Sequence, residues 1–280
     1  MKKISSDEIY EVLKPELLRM NVEIPPDVLL ALQNAEAQET GKAKTVLSHI
    51  LKNIEIAGKR SMPMCQDTGL VIVFVEIGRE VFIEGPSIDL AIKKAIAEAY
   101  AEGYFRKSVV SGPLKDRTNT GTNLPPAIYY DFVDGGKLKI SCLAKGFGSE
   151  NYSITRMLKP GDDKSKIIET IVDAMKRAKG NPCPPVFLGV GIGGTMDWAA
   201  RISKKALLRK YDEKHPDPFY AELENEALEA VNALGIGGGG LGGIFTALSV
   251  KIETYPTHIA GLPVAVSVNC WAERRAEVIL

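Results

Sequence analysis

Leu70-Val71-Ile72-Val73-Phe74-Val75, ended by the polar turn Gly78-Arg79-Glu80 and followed by Val81-Phe82-Ile83, is the stretch on which the fold turns. Short apolar runs rich in valine and isoleucine, bounded by turn residues, read as strands, and two in succession predict a buried strand pair. Downstream, Pro86 and Ser87 open a helix whose Ile88, Ile92, Ala95, Ile96 and Ala99 share one face until Gly103 interrupts it. Upstream, the first 60 residues read as helical. Ser5 with Glu8 suits a capping box, Pro25 and Pro26 mark a restart before Val28, and Lys44 to Ala57 carries apolar residues at helical spacing. Between Ala127 and Ala144 two strand-like runs flank Asp134-Gly135-Gly136, which predicts a β-hairpin. A helix is expected over Ser165 to Ala178, stopped by Gly180, then a strand over Val186 to Val190 and helices over Ala199 to Arg209 and Pro218 to Leu234. The tail from Phe245 to Val268 is strand-like, with Pro256 and Pro263 as breaks, and no internal repeat is apparent. The expectation is a mixed α/β fold in one domain over residues 1–280. A helical N-terminal layer (1–60) precedes an irregular mixed sheet with flanking helices (61–280).

The chain's 280 residues, 45% hydrophobic and 25% charged, suffice for a substantial core. Thirty-five basic residues balance thirty-five acidic ones, so no global field favours nucleic acid or an anionic membrane. No window approaches the roughly 18 apolar residues of a membrane span. The start, Met1-Lys2-Lys3 followed by Ser5, Ser6, Asp7 and Glu8, lacks the apolar region of a signal peptide, and a cytoplasmic location is expected.

Four cysteines in so long a chain do not make a disulfide scaffold, and none sits in a C-x-x-C pair. Cys65 lies where an apolar approach turns polar just before a strand. Cys183 lies in Asn181-Pro182-Cys183-Pro184-Pro185, stiffened by three prolines, and Cys270 follows a strand-like run at its end. Cys142 is in phase with Leu138 and Ile140 and is expected in the core. Three loop or strand-end thiols suggest an iron-sulfur cluster with three protein ligands, and ordinary buried cysteines are the alternative.

Six strings now occur in order: Met64 to Gly69 (M-C-Q-D-T-G), Asn119 to Pro125 (N-T-G-T-N-L-P), Ala144 to Asn151 (A-K-G-F-G-S-E-N), Asn181 to Pro185 (N-P-C-P-P), Gly193 to Thr195 (G-G-T) and Ser267 to Ala272 (S-V-N-C-W-A). Together they resemble the class I, iron-sulfur-dependent fumarate hydratase and L-tartrate dehydratase family, over about Ile50 to Arg275. The resemblance implies a 4Fe-4S cluster on Cys65, Cys183 and Cys270. It also implies substrate contacts from Gln66, Asp67, Arg106 and Gly148, with Asp67 a proton donor partnered by His258. Unaided, the residues leave alternatives: Asp67 as a turn residue bonding its own backbone, Arg106 as a solvated helix-end charge with Arg117 competing for the alignment, and His258 as a structural histidine. Phe147 stands where the family more usually has glycine. Gly237 to Gly243 lacks the Lys-Ser/Thr pair of a phosphate loop, and close packing is expected there.

The implied activity is that of a hydro-lyase adding or removing water across a small dicarboxylate, fumarate to malate being the first expectation and L-tartrate dehydration the alternative. In the family the base that takes the carbon-bound proton lies in a C-terminal domain absent from these 280 residues. The resemblance therefore implies an α subunit that is active only with a β subunit, in a higher oligomer of α–β pairs. From other classes, a redox-sensing iron-sulfur protein and a cluster-free binding module remain open.

Overall fold

In the computed structural model, which describes residues 2–280, Ser5 ends a short strand β1 (Lys2–Ser5) and caps helix α1 (Ser6–Val22), its hydroxyl accepting from the Glu8 N–H at 3.0 Å. Ile9, Leu13, Leu17 and Met20 recur at three- and four-residue spacing and are buried, the stripe that an amphipathic helix presents to a core. The chain divides into two compact units, residues 2–25, 53–146 and 274–280 in the first and residues 26–52 and 147–273 in the second.

The first unit is organised by β2 (Leu70–Gly78). It pairs in parallel with β4 (Ala127–Val133) on one edge and antiparallel with β5 (Leu138–Lys145) on the other, and β5 pairs antiparallel with β10 (Arg275–Ile279). Val71, Val73 and Val75 share one core with Ile140, Cys142, α1 and the alanine-lined face of α4 (Ile88–Glu102), which is capped by Ser87 as its sequence predicts. Two expectations are corrected here. The runs flanking Asp134-Gly135-Gly136 are strands but do not pair as a hairpin, because β2 lies between them. The connection from β4 to β5 instead crosses the end of β2, where Gly78 N–H donates to Lys137 O (2.9 Å), Arg79 N–H to Val133 O (2.9 Å) and Glu80 N–H to Gly135 O (3.1 Å). That crossing engages the backbone of Gly78 to Glu80, and β3 (Val81–Glu84) pairs in parallel with β1 rather than with β2.

The second unit repeats this plan. Its central strand β7 (Val186–Gly193) is buried at every position, which accounts for its continuous apolar reading. It pairs in parallel with β8 (Ala247–Tyr255) and antiparallel with β9 (Leu262–Asn269), and β9 pairs antiparallel with β6 (Ile154–Leu158). The connection from β8 to β9 again crosses the end of the central strand, Gly194 N–H donating to Pro256 O (3.2 Å) and Thr257 Oγ1 to Gly194 O (3.1 Å). Helices α6 (Lys164–Ala178) and α8 (Pro218–Asn232) share the β7 core, while α7 (Met196–Ala206) packs on β7 and β9. Pro263 does not break the tail as expected but lies inside β9. It precedes the first residue paired with β7, Val264, so its missing N–H removes no bond from that ladder. The repeat is topological and leaves no trace in residue identity. Among the described residues no helix is long and apolar enough to cross a membrane.

Ile96, fully buried in α4, tests the first core. Ile96→Ala should cost about 2–5 kcal/mol, read as a lower urea midpoint at an unchanged slope.

Candidate functional site

The loop before β2 carries Cys65, Gln66 and Asp67, and its backbone is held from all sides within the first unit. Met64 N–H donates to Asn21 O (3.0 Å), and Asn53 Nδ2 donates to Met64 O (2.8 Å). The buried Tyr100 hydroxyl donates to Thr68 O (2.7 Å), and Asn123 Nδ2 to Gly69 O (3.1 Å). Desolvation raises the Tyr100 phenol, which keeps it a donor. Thr68 Oγ1 donates to the carbonyl of Arg106, so the arginine implied by the resemblance is tied to the cysteine loop through its backbone while its side chain is exposed. Asn123 also accepts from Ser108 N–H (2.8 Å), and Asn119 donates to Lys107 O (2.6 Å). The N-T-G-T-N-L-P string thus fastens the Arg106 segment to the Cys65 loop.

Asp67 Oδ1 accepts from Gly69 N–H (3.0 Å), which is the turn role that the residue type alone suggests. Its Oδ2 lies 3.1 Å from where a Cβ on Gly146 would stand, and Arg274 Nη2 lies 3.6 Å from the same point. Gly146 is therefore small because a carboxylate and a guanidinium close in on it. Gly148, in the short helix α5 (Phe147–Glu150), has open space where a Cβ would be.

In the second unit Cys183 and Cys270 come together. Cys183 leads into β7 and Cys270 follows the antiparallel neighbour β9, so both stand at the same end of the sheet, and Trp271 N–H donates to Cys183 O at 3.4 Å. Cys183 is exposed and takes a left-handed backbone (φ 54°) between Pro182 and Pro184, a conformation that costs a non-glycine residue about 1 kcal/mol or more and concentrates at ligand clamps. His258 and the G-G-T string lie at the opposite end. β9 spans eight residues between them and Cys270, roughly 25 Å at about 3.3 Å per residue. The structure does not bring His258 together with Cys270; its Nδ1 accepts from Ala260 N–H (3.1 Å) in an exposed turn.

Cys65 belongs to the first unit and the other two thiols to the second, and among the described residues no three His, Cys, Asp or Glu side chains are arranged to hold a metal ion. The donor set itself fits an iron-sulfur centre. Cys65, Cys183 and Cys270 are all solvent-reachable on loops or strand ends, whereas burial raises the Cys142 thiol to about 12 and keeps it protonated.

Two buried cations escaped the reading of the sequence. Lys145, fully buried, pairs across from Leu70 and donates from Nζ to Gly146 O (3.2 Å). Arg274 donates to Asn21 Oδ1 (3.2 Å) and Ala144 O (3.3 Å), and its buried Nε has no hydrogen-bond partner among the described residues. Their signal was positional: a lysine at the end of an apolar strand, and an arginine two residues after the last cysteine string.

The family described as Fumarate hydratase (Fumerase) matches residues 11–279. A putative L(+)-tartrate dehydratase subunit alpha from Methanocaldococcus jannaschii is 42% identical over 276 residues, covering 97% of this chain and 95% of that protein. L(+)-tartrate dehydratase subunit alpha from Escherichia coli strain UTI89 is 31% identical over 279 residues (98% and 91%). The Shigella sonnei protein of the same name is 30% identical over 284 residues (100% and 93%).

Thiol chemistry separates the four cysteines. Iodoacetamide at about pH 8 should label Cys65, Cys183 and Cys270 in the folded, cluster-free chain and reach Cys142 only after unfolding, as peptide mass spectrometry would show. Because its folded value lies above the unfolded one, the Cys142 contribution to stability is whole below about pH 9 and fades as pH climbs toward 12.

Proposed function

The chain belongs to the class I fumarate hydratase (fumerase) family, and from that premise we propose that it is the α subunit of a 4Fe-4S hydro-lyase acting on a small dicarboxylate. The observation that carries the reading is that Cys183 and Cys270 stand at one end of a sheet, their loops joined by Trp271 N–H to Cys183 O (3.4 Å), with Cys65 on a loop fastened through its backbone. Cys65, Cys183 and Cys270 would hold the cluster, which would supply a Lewis acid for substrate oxygens.

This chain's own groups then bind and handle protons. Gln66 and the exposed guanidinium of Arg106 hold substrate polar groups, a planar fork matching a carboxylate in two bonds. Asp67 holds the proton that joins the departing hydroxyl, and Gly69 N–H on its Oδ1 keeps its other oxygen aimed past Gly146. Dehydration breaks one C–O and one C–H bond and forms a C=C bond: the hydroxyl leaves as water with the proton from Asp67, the carbon proton goes to a base, and there is no net change of oxidation state. The relatives' names as alpha subunits support a β subunit; that it supplies the base for the carbon proton, that such pairs form a higher oligomer and that they lie in the cytoplasm are parts of the proposal that those names do not carry. His258 has no part in the Cys183–Cys270 end of its own unit; any role beside Asp67 is a proposal that the resemblance alone supports.

Fumarate hydration to malate is the first substrate reading. L-tartrate dehydration is favoured by the names of relatives that align over nearly the whole chain. Anaerobic co-expression with the candidate β subunit, reconstitution with iron and sulfide, and assay on fumarate and L-tartrate should give turnover of one acid by the pair and none by this chain alone. Cys183→Ser should remove both colour and turnover, and Asp67→Asn should lower kcat by about 10²–10⁴-fold while substrate still binds. A reconstituted pair inert toward every four-carbon hydroxy or unsaturated diacid would sink the reading.

A further inference from the structure

The glycine-rich segment Gly237 to Gly243 lacks the Lys-Ser/Thr pair of a phosphate loop, yet seven consecutive positions with a single leucine are costly to order. Its contacts explain what it does. Gly239 N–H donates to Pro184 O at 2.8 Å, the carbonyl next to Cys183. Gly240 and Gly180 meet backbone to backbone, and a Cβ on Gly240 would stand 2.6 Å from the Gly180 Cα. Gly180 in turn starts the turn that ends at Cys183, whose N–H donates to Gly180 O (3.2 Å). The segment therefore touches the cysteine loop on both sides of the thiol.

What fixes the segment is a buried carboxylate. Glu39, at the end of helix α2 (Pro26–Gln38) and 3% exposed, accepts through one oxygen, Oε1, from both Ile244 N–H (2.6 Å) and Phe245 N–H (2.8 Å). At the other end Thr246 Oγ1 accepts from Ile236 N–H (3.1 Å) and Gly237 N–H (3.2 Å), and Thr246 O receives Val186 N–H, the first residue of β7. All these groups lie in the second unit.

We propose that Gly237 to Gly243, anchored by Glu39, is the positioning device that holds the Cys183 loop in its left-handed form and so fixes the thiol for its role as a cluster ligand. The proposal rests on the reading of Cys183 as a ligand. It makes Glu39 and Gly240 positioning residues, since neither touches the substrate or the metal.

Two alanine variants isolate the effect. Gly240→Ala and Gly242→Ala both place a side chain at positive φ (76° and 87°), but only the first drives a methyl into Gly180; Gly242 faces open space. In the full chain with its β partner, Gly240→Ala should bind iron and sulfide about 10–100-fold more weakly than Gly242→Ala on anaerobic chelator competition. In the cluster-free chain its Cys183 should be alkylated severalfold faster, with Cys65 as the internal standard. Should Gly240→Ala not fold, Glu39 decides. Glu39→Gln, whose amide oxygen can accept both N–H groups, should match wild type, and Glu39→Leu should behave as expected of Gly240→Ala. Equal iron retention and equal Cys183 labelling across the variants would overturn the proposal. A wild-type pair that takes up no iron and sulfide would instead overturn the cluster reading, and the labelling rates would still decide the positioning role.

Discussion

A strand buried on both faces can satisfy its backbone only through neighbours on both edges, and each unit is arranged around that requirement. β2 and β7 each take a parallel partner on one side and an antiparallel one on the other, so the strands that follow them in sequence must straddle them. The connection between the straddling strands has to pass over the end of the central one. Gly78 and Gly193 sit under these crossings, where a Cβ would come within 2.3 Å and 1.9 Å of a carbonyl oxygen, Gly135 O and Tyr255 O. The crossing closes one end of each sheet and leaves the other free for loops that carry chemistry.

Those loops occupy the amino ends of the central strands. Open parallel α/β sheets usually bind ligands at the carboxyl ends of their strands. Here the carboxyl ends lie beneath the crossings, and Cys65, Asp67 and Cys183 all precede their strand. The loop of each unit is locked through main-chain contacts, by Tyr100 and Asn123 in the first and by the glycine-rich segment in the second. The backbone that carries Cys65, Asp67 and Cys183 is thereby held in place.

Local features were legible from residues alone. Ser5, Ser87 and Pro218 mark helix starts because a cap is chemistry within four residues, and Cys142 declares its burial through its phase with Leu138 and Ile140. Pairing was not legible. Asp134-Gly135-Gly136 has the composition of a tight hairpin, and nothing local tells that β2 will insert between the flanking strands. The candidate ligand cysteines were picked out by their motifs, whereas Arg274 was not, since a buried cation is recognised by the oxygens it meets and those of Arg274, Asn21 Oδ1 and Ala144 O, lie far away in sequence. His258 was singled out by the resemblance alone, and within its own unit the extended strand β9 separates it from Cys270.

One edge strand of the first sheet, β10, comes from beyond the whole 147–273 segment of the second unit, whereas β6 to β9 of the second sheet are continuous in sequence. During synthesis on the ribosome, the β5 edge therefore stays bare until residues 275–279 emerge, long after the rest of its sheet is available. An uncapped edge is a template for a neighbouring chain. β10 is in this sense a latch, since a nascent chain cut short before Arg275 would display an open ladder along β5.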